Sequence, residues 1–342
     1  MEINRVLAII LITFLFVLLF IPIIKKIAIH VDALDIPNER KVHKTPIPRL
    51  GGLGIYFGFL LGYLLFGHES VQMNSILIGS FIIVITGLID DIKPIPAKYK
   101  FCGQTIAATI IPLYGGIILK DVSAFGIYLN FGIFSYPLTI FFILGVINCM
   151  NLIDGLDGLA SGIAVIYFIT IGILAIIFNN SSGLDTILTF IMLGSTLGFL
   201  FYNFNPASIF MGDSGSMFLG YMIAVISLLG YKNVTFTSFI VPIFLLAIPI
   251  LDTFFAILRR LVNHKPISMP DKNHLHHQFL KNNFSQRKTV LIIYFIDILF
   301  ASASIEYVLG DFVQGLIIYV ILFLIVFILI LKTDIIFERE KK

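Results

Sequence analysis

Apolar residues gather in eleven runs separated by short polar or turn-forming segments, at 4–24, 51–67, 74–89, 101–119, 135–150, 159–178, 184–203, 215–230, 237–258, 289–308 and 312–331. Most are close to the ~20 residues that carry a helix across a bilayer. Helices satisfy their own backbone hydrogen bonds in lipid. The pattern predicts an all-α polytopic membrane protein of about eleven transmembrane helices. It forms a single integral-membrane domain over 1–342, with polar motifs confined to 35–277 and two last spans at about 289–331. The segments 179–183 and 230–233 read as turns. The first run is longer than a signal-peptide core and ends in Lys25 and Lys26, so a retained first span is expected.

Composition agrees. The chain is 58% hydrophobic and 13% charged, against about 45–50% and 25% in soluble domains. Charge then orients it. All 23 Lys and Arg residues except Arg5, Lys120 and Lys232 fall after runs one, three or nine, or in the tail. The positive-inside rule places the N-terminus outside, the C-terminus in the cytoplasm, and every polar motif on the cytoplasmic face of the membrane. Cys102 and Cys149 lie at cytoplasmic span ends, where no disulfide is expected.

The motifs sit at the ends of the runs. Residues 148–158 read Asn-Cys-Met-Asn-Leu-Ile-Asp-Gly-Leu-Asp-Gly, with Asn148, Asn151, Asp154 and Asp157 every third residue. Positions three apart share a helical face, although the drift of about 60° per step divides the ladder. Asn151 and Asp154 then face one ligand, Asp157 lies further round, and Asn148 is left in support. Asp90 and Asp91 close the third run, and a lysine such as Lys93 or Lys98 is the expected partner of one of them. A solvated helix end would also carry acids, but acids at a helix C-terminus oppose the macrodipole.

Asp213 stands between Gly212 and Gly215 just before the eighth run. A capped turn with Asp213 or Ser214 as N-cap competes there with a phosphate-facing site. The first polar loop holds Pro37, Pro46 and Pro48 among Arg40, Lys41, His43, Lys44 and Arg49. Topogenic charge alone would need no prolines. His274, His276 and His277 cluster in a basic loop with no cysteine or carboxylate spaced for zinc, so hydrogen bonds to phosphate or sugar fit better. Inside the spans, Asp252 is expected to pair with Arg259 or Arg260. Mid-span Asp297 is expected as a protonated acid bonded to a neighbouring helix.

Hard oxygen donors in small number suit Mg²⁺ shared with substrate phosphates, with Mn²⁺ chemically compatible. No Walker-type loop is present. The residues alone point to metal-assisted phosphoryl chemistry on a lipid-linked substrate.

Five motifs in order give the chain a resemblance. Asp-Ile-Pro-Asn…Arg-Lys-Val-His…Pro-Arg-Leu-Gly-Gly, Asp90-Asp91 with Lys100-Phe101, Asn-Leu-Ile-Asp-Gly-Leu-Asp-Gly-Leu-Ala, Phe-Met-Gly-Asp-Ser-Gly-Ser and His-Leu-His-His run from Asp35 to His277. Together they resemble the polyprenyl-phosphate N-acetylhexosamine-1-phosphate transferases, glycosyltransferase family 4, in the WecA/TagO-like branch. Gln278 stands where the MraY branch has its third consecutive histidine.

The resemblance implies transfer of N-acetylglucosamine-1-phosphate, or a close epimer, from the UDP-sugar to undecaprenyl phosphate with release of UMP. It is the first membrane step of an envelope glycan such as teichoic acid or O-antigen. It implies Asn151 and Asp213 as metal ligands for Mg²⁺, and a catalytic set of Asp90, Asp91, Asp154 and His276. Asp90 would act on the lipid phosphate, with Asp91 and Lys100 supporting it. Lys44 and Asp157 would meet the uridine end, and Arg49, His274 and His277 the diphosphate or sugar. Direct attack and a phospho-aspartate intermediate are both compatible with these residues. The partners expected are a UDP-N-acetylhexosamine, undecaprenyl phosphate and the bilayer, with no nucleic acid. A homodimer is compatible with such an enzyme. Phospho-N-acetylmuramoyl-pentapeptide transfer is the alternative within the superfamily, and a lipid-linked sugar transporter or flippase is the alternative from another class.

Overall fold

A computed structural model describes residues 3–37, 45–124, 127–178, 183–232, 239–264, 266 and 274–332. Lys44, residues 179–182 and 233 of the two expected turns, and the tail from 333 lie outside these residues, while 230–232, expected in a turn, are helical. Each apolar run is helical over most of its described length. The helices are α1 (Ile3–His30), α2 (Gly51–Phe66), α3 (Val71–Ile92), α4 (Ala97–Leu113), α5 (Ser135–Ile153), α6 (Leu159–Ile177), α7 (Leu184–Asn203) and α8 (Gly212–Lys232), followed by α9 (Ile240–Leu245), α10 (Ala247–Val262), α11 (Leu275–Lys281), α12 (Gln286–Leu309) and α13 (Phe312–Lys332). Seven of them are long and apolar enough to cross a membrane among the described residues. The fold is that of a largely helical, polytopic membrane protein.

The described residues depart from the sequence pattern in three places. The ninth run is two helices, α9 and α10, meeting at Leu246. Pro249 lacks the N–H that would bond back to Leu245 and its ring crowds that carbonyl. The helix α4 begins at Ala97 and stops at Leu113, short of the 119 expected. Two short antiparallel pairs also interrupt the all-helical expectation. β1 (Leu34–Asp35) pairs with β2 (Ile47–Pro48), and β3 (Asp121–Ala124) pairs with β4 (Ile127–Asn130). The first pair pins the two ends of the proline-bearing loop together.

The centre of the bundle is α8. Its apolar stretch is 89% buried, against 28% for α1. Packing this tight needs backbone contact. A Cβ on Gly52 would run into the backbone of Gly215, so α2 and α8 cross at two glycines. Elsewhere Asp297 is buried with neither carboxyl oxygen partnered among the described residues. The interhelical hydrogen bond expected for it is therefore not formed among the described residues.

Candidate active site

The site is built on the start of α8. Residues 48–52 run beside 210–211: Phe210 N–H donates to Pro48 O at 2.7 Å, Gly51 N–H to Phe210 O at 2.9 Å and Gly52 N–H to Met211 O at 2.8 Å. Gly212 then turns the chain into α8 with φ +73°, a conformation glycine adopts freely. The free N–H groups of this helix start are capped from α3. Asp91 accepts from Asp213 N at 2.8 Å, Ser214 N at 3.0 Å and Ser214 Oγ at 2.7 Å. Neither Asp213 nor Ser214 is the N-cap.

Asp213 is held from both sides. Lys100 Nζ lies 2.8 Å from its Oδ2 and also 3.1 Å from Asp90 Oδ2. Arg49 lies 3.5 Å from Asp213 Oδ1, 3.1 Å from Asp91 Oδ1 and 3.6 Å from Asp35 Oδ1. Burial works against the Arg49 charge, but Asp91, Asp213 and Asp35 outweigh it and raise the guanidinium above its ordinary pKa. The partners of the acid pair are thus Lys100 and Arg49, not Lys93 or Lys98. Asp90 also accepts from Ile95 N at 2.9 Å, which fixes the turn into α4.

The ladder does not lie on one helix. The helix α5 ends at Ile153, so Asp154 is its C-cap and Asp157 sits in the turn before α6. Asn151 Nδ2 donates to Ser216 Oγ at 2.8 Å, leaving its carbonyl oxygen for the cleft. Asn148 donates instead to Gln104 Oε1 at 2.9 Å, away from the cleft. Asp157 accepts from Asn205 Nδ2 at 2.9 Å and Ala207 N at 3.0 Å. Asn203 holds the turn by accepting from Gly158 N at 3.1 Å and Ser161 Oγ at 2.8 Å.

These elements enclose a cleft of about 300 Å³, whose walls include Arg49, Asn151, Asp154, Asp157, Asp213 and His277. Burial, with Asp213 and Asp91 nearby, pushes the Asp154 carboxyl up to about 7. The cleft is acidic: Asp35 joins Asp154, Asp157 and Asp213, with Arg49 the one arginine or lysine on its described walls. Such a cleft repels a diphosphate unless a cation comes between. Among the described residues no three His, Cys, Asp or Glu side chains converge closely enough to hold a metal alone. The oxygens of Asn151, Asp154 and Asp213 suit a hard ion that completes its shell with substrate oxygens and water.

The histidines divide. His277 lines the cleft. His276 is 1% exposed and packs against Gly155, and both ring nitrogens lack a partner among the described residues. Burial pushes its pKa down to about 3, against the pull of Asp252. His274 turns away and pairs through Nδ1 with Asp252 at 2.8 Å. Asp252 thus meets a histidine and not the expected Arg259 or Arg260.

Of the residues singled out from sequence, Arg49, Asn151, Asp154, Asp157, Asp213 and His277 meet at the cleft. Asp90 and Lys100 adjoin it through Asp213. Asp91, His274 and His276 are not among its lining residues, although His276 packs against Gly155, which is. Sequence reading passed over Asn203 and Gln286, which also line it, and held Ser216 only as the end of the Phe-Met-Gly-Asp-Ser-Gly-Ser motif. Gln286 opens α12, beside Arg287, whose guanidinium lies 5.7 Å from the centre of the Phe204 ring. Tyr294, further along α12, donates to Gly158 O. A lone glutamine after a basic loop carries no signal of its own.

Fold and site together define a polytopic helical membrane protein with its polar chemistry gathered at one end of the bundle. Comparison with known proteins narrows this. The model of glycosyl transferase family 4 matches residues 73–231. A probable undecaprenyl-phosphate N-acetylglucosaminyl 1-phosphate transferase of Bacillus subtilis (strain 168) is 43% identical over 98% of this chain and 94% of its own. A decaprenyl-phosphate N-acetylglucosaminephosphotransferase of Mycobacterium tuberculosis (strain ATCC 25618 / H37Rv) is 33% identical over 79% and 74%. An undecaprenyl-phosphate alpha-N-acetylglucosaminyl 1-phosphate transferase of Escherichia coli (strain K12) is 29% identical over 92% and 87%. The chain belongs to glycosyl transferase family 4, the polyprenyl-phosphate N-acetylhexosamine-1-phosphate transferases, and to their WecA/TagO-like branch. The resemblance carried by the five motifs is borne out.

Proposed function

We propose that the chain transfers N-acetylglucosamine-1-phosphate from UDP-N-acetylglucosamine to undecaprenyl phosphate, releasing UMP and leaving undecaprenyl-diphospho-N-acetylglucosamine. The observation that carries this reading is the position of Asp213, between the cleft on one side and the Asp90–Lys100 pair on the other. It lets two phosphate-bearing substrates approach one carboxylate from opposite sides. The donor takes the cleft, with Arg49 and His277 facing its diphosphate and Asp157 the nucleoside end. Lys100 holds the lipid phosphate, and Asp90 orients it or takes its proton. One phosphoanhydride replaces another, so no external energy source is needed.

Mg²⁺ is the cofactor of this reading, held by Asn151 and Asp213 with Asp154 close by. When bound, it neutralises the diphosphate and stabilises the departing UMP. The orientation that goes with the reading has eleven spans, the N-terminus outside and the cleft facing the cytoplasm. It is supported by a cleft built from the same helix ends that border the lysine- and arginine-rich loops. The test is UMP release by purified protein given undecaprenyl phosphate, Mg²⁺ and a panel of UDP-sugars. UDP-N-acetylglucosamine is expected to be the best donor. No UMP from any UDP-sugar, with lipid-linked sugar moved across proteoliposomes instead, would overturn it.

A further inference from the structure

Behind the cleft one buried carboxylate is spent entirely on the histidine segment. Asp252 on α10 is 4% exposed. Its Oδ2 lies 2.8 Å from His274 Nδ1, and its Oδ1 accepts the Leu275 N–H at 2.7 Å. The first turn of α11 therefore takes its capping oxygen from another helix, since the N-cap His274 makes no side-chain capping bond of its own. Hydrogen bonds to an ionised carboxylate are roughly twice as strong as neutral ones, which makes this a firm tether.

What the tether holds is the cleft wall. The rings of His274 and His276 lie parallel within 4°, with centres 5.7 Å apart, and those of His276 and His277 are 4.3 Å apart. His276 presses on Gly155, and His277 faces the cleft. Neither ring nitrogen of His276 has a partner among the described residues, and a buried polar group left unpaired is costly. A polar ligand group reaching the turn at Gly155 would recover part of that.

We infer that Asp252 is a positioning residue for the donor. Through His274 and the start of α11 it sets His276 and His277 against the phosphate-bearing part of a nucleotide sugar. The inference rests on the reading of the cleft as the donor site. It does not make Asp252 a ligand of anything in the cleft.

The experiment varies each substrate in turn in the UMP assay with purified variants. Asp252→Ala is expected to lower kcat/KM for the UDP-sugar by on the order of 100-fold, the cost of a displacement of about 1 Å. The KM for undecaprenyl phosphate should stay within roughly 2-fold, since that substrate is placed on the other side of Asp213. Asp252→Asn keeps an oxygen for the Leu275 N–H and should recover to within about 10-fold of the parent. Adding His274→Ala to Asp252→Ala should cost less than about 3-fold more, because His274 acts through its bond to Asp252. Unchanged donor kinetics in Asp252→Ala, equal losses toward both substrates, or fully additive losses would each overturn the inference.

A second measurement does not depend on turnover. Diethyl pyrocarbonate should leave His276 unmodified in the parent and modify it in Asp252→Ala, read by peptide mass spectrometry. Continued protection in the variant overturns the tether. A parent protein that releases no UMP sinks the functional reading instead, and the labelling then still decides whether Asp252 holds α11.

Discussion

The two walls of the cleft are built on different principles. On the α3–α8 side, Asp91 alone makes three hydrogen bonds into the start of α8 and an ion pair with Arg49. Lys100 and Arg49 then hold Asp213 from either side. On the α10–α11 side, a seven-residue helix is capped by one carboxylate, and its central imidazole is buried without a hydrogen bond among the described residues. The first wall over-determines its geometry and the second leaves bonding capacity to be used. Preorganised groups stabilise charge at no reorganisation cost, so the first wall suits the reacting centre. The second suits a ligand that settles as it binds.

The largest test of this contrast is at Asp213. Asp213→Asn should cut turnover at saturating Mg²⁺ by at least about 10³-fold, while the protein still inserts in the membrane and keeps its thermal unfolding midpoint. Near-normal UMP release would remove Asp213 from the centre. Asp91→Ala should fail differently. It leaves Arg49 and the start of α8 without their shared partner, a loss of about 3–5 kcal/mol in a buried network. Thermal unfolding in detergent should drop sharply, whereas Asp252→Ala on the looser wall should hold its midpoint more nearly. Equal drops in the two variants would erase the distinction.

Two pH effects follow, each with a defined sign. Asp154 is pushed up to about 7, so it is largely protonated below that pH and competes with a metal for the same oxygens. The Mg²⁺ concentration for half-maximal activity should therefore fall as pH rises through 7, and Asp154→Asn should flatten that dependence. His276 is the smaller case. Its pKa is about 3 folded and about 6.5 unfolded, so the unfolded chain binds more protons below 6.5. Stability is then lost as pH falls, by about 1.4 kcal/mol one unit below 6.5. His276→Phe should remove that acid sensitivity in thermal unfolding across pH 5–7. An unchanged slope would mean that His276 is not buried neutral.

The difference between the walls also tracks what the sequence discloses. The helices were legible because apolar runs in a bilayer have little alternative, and Asp154, Asp157 and Asp213 because they close or open a run. Which of two adjacent acids faces a ligand was not legible. Asp90 and Asp91 share every local neighbour, and only the approach of α8 makes Asp91 a cap. The ladder was over-read as helical, although Gly155 and Gly158 were visible marks of a turn. The Asp252–His274 pair was hidden by distance along the chain, since the arginines seven and eight residues on offered a nearer explanation.

The hydroxyl of Tyr294 on the Gly158 carbonyl, with Gln286 in the cleft wall, has a consequence for biosynthesis. The floor of the cleft is complete once α8 is inserted, but its last wall arrives only with α12, some sixty residues later. A chain ending before that point carries the acids and His277 but lacks Gln286 and Tyr294. The groups on the floor of the cleft are thus synthesised well before the helix that supplies its last wall.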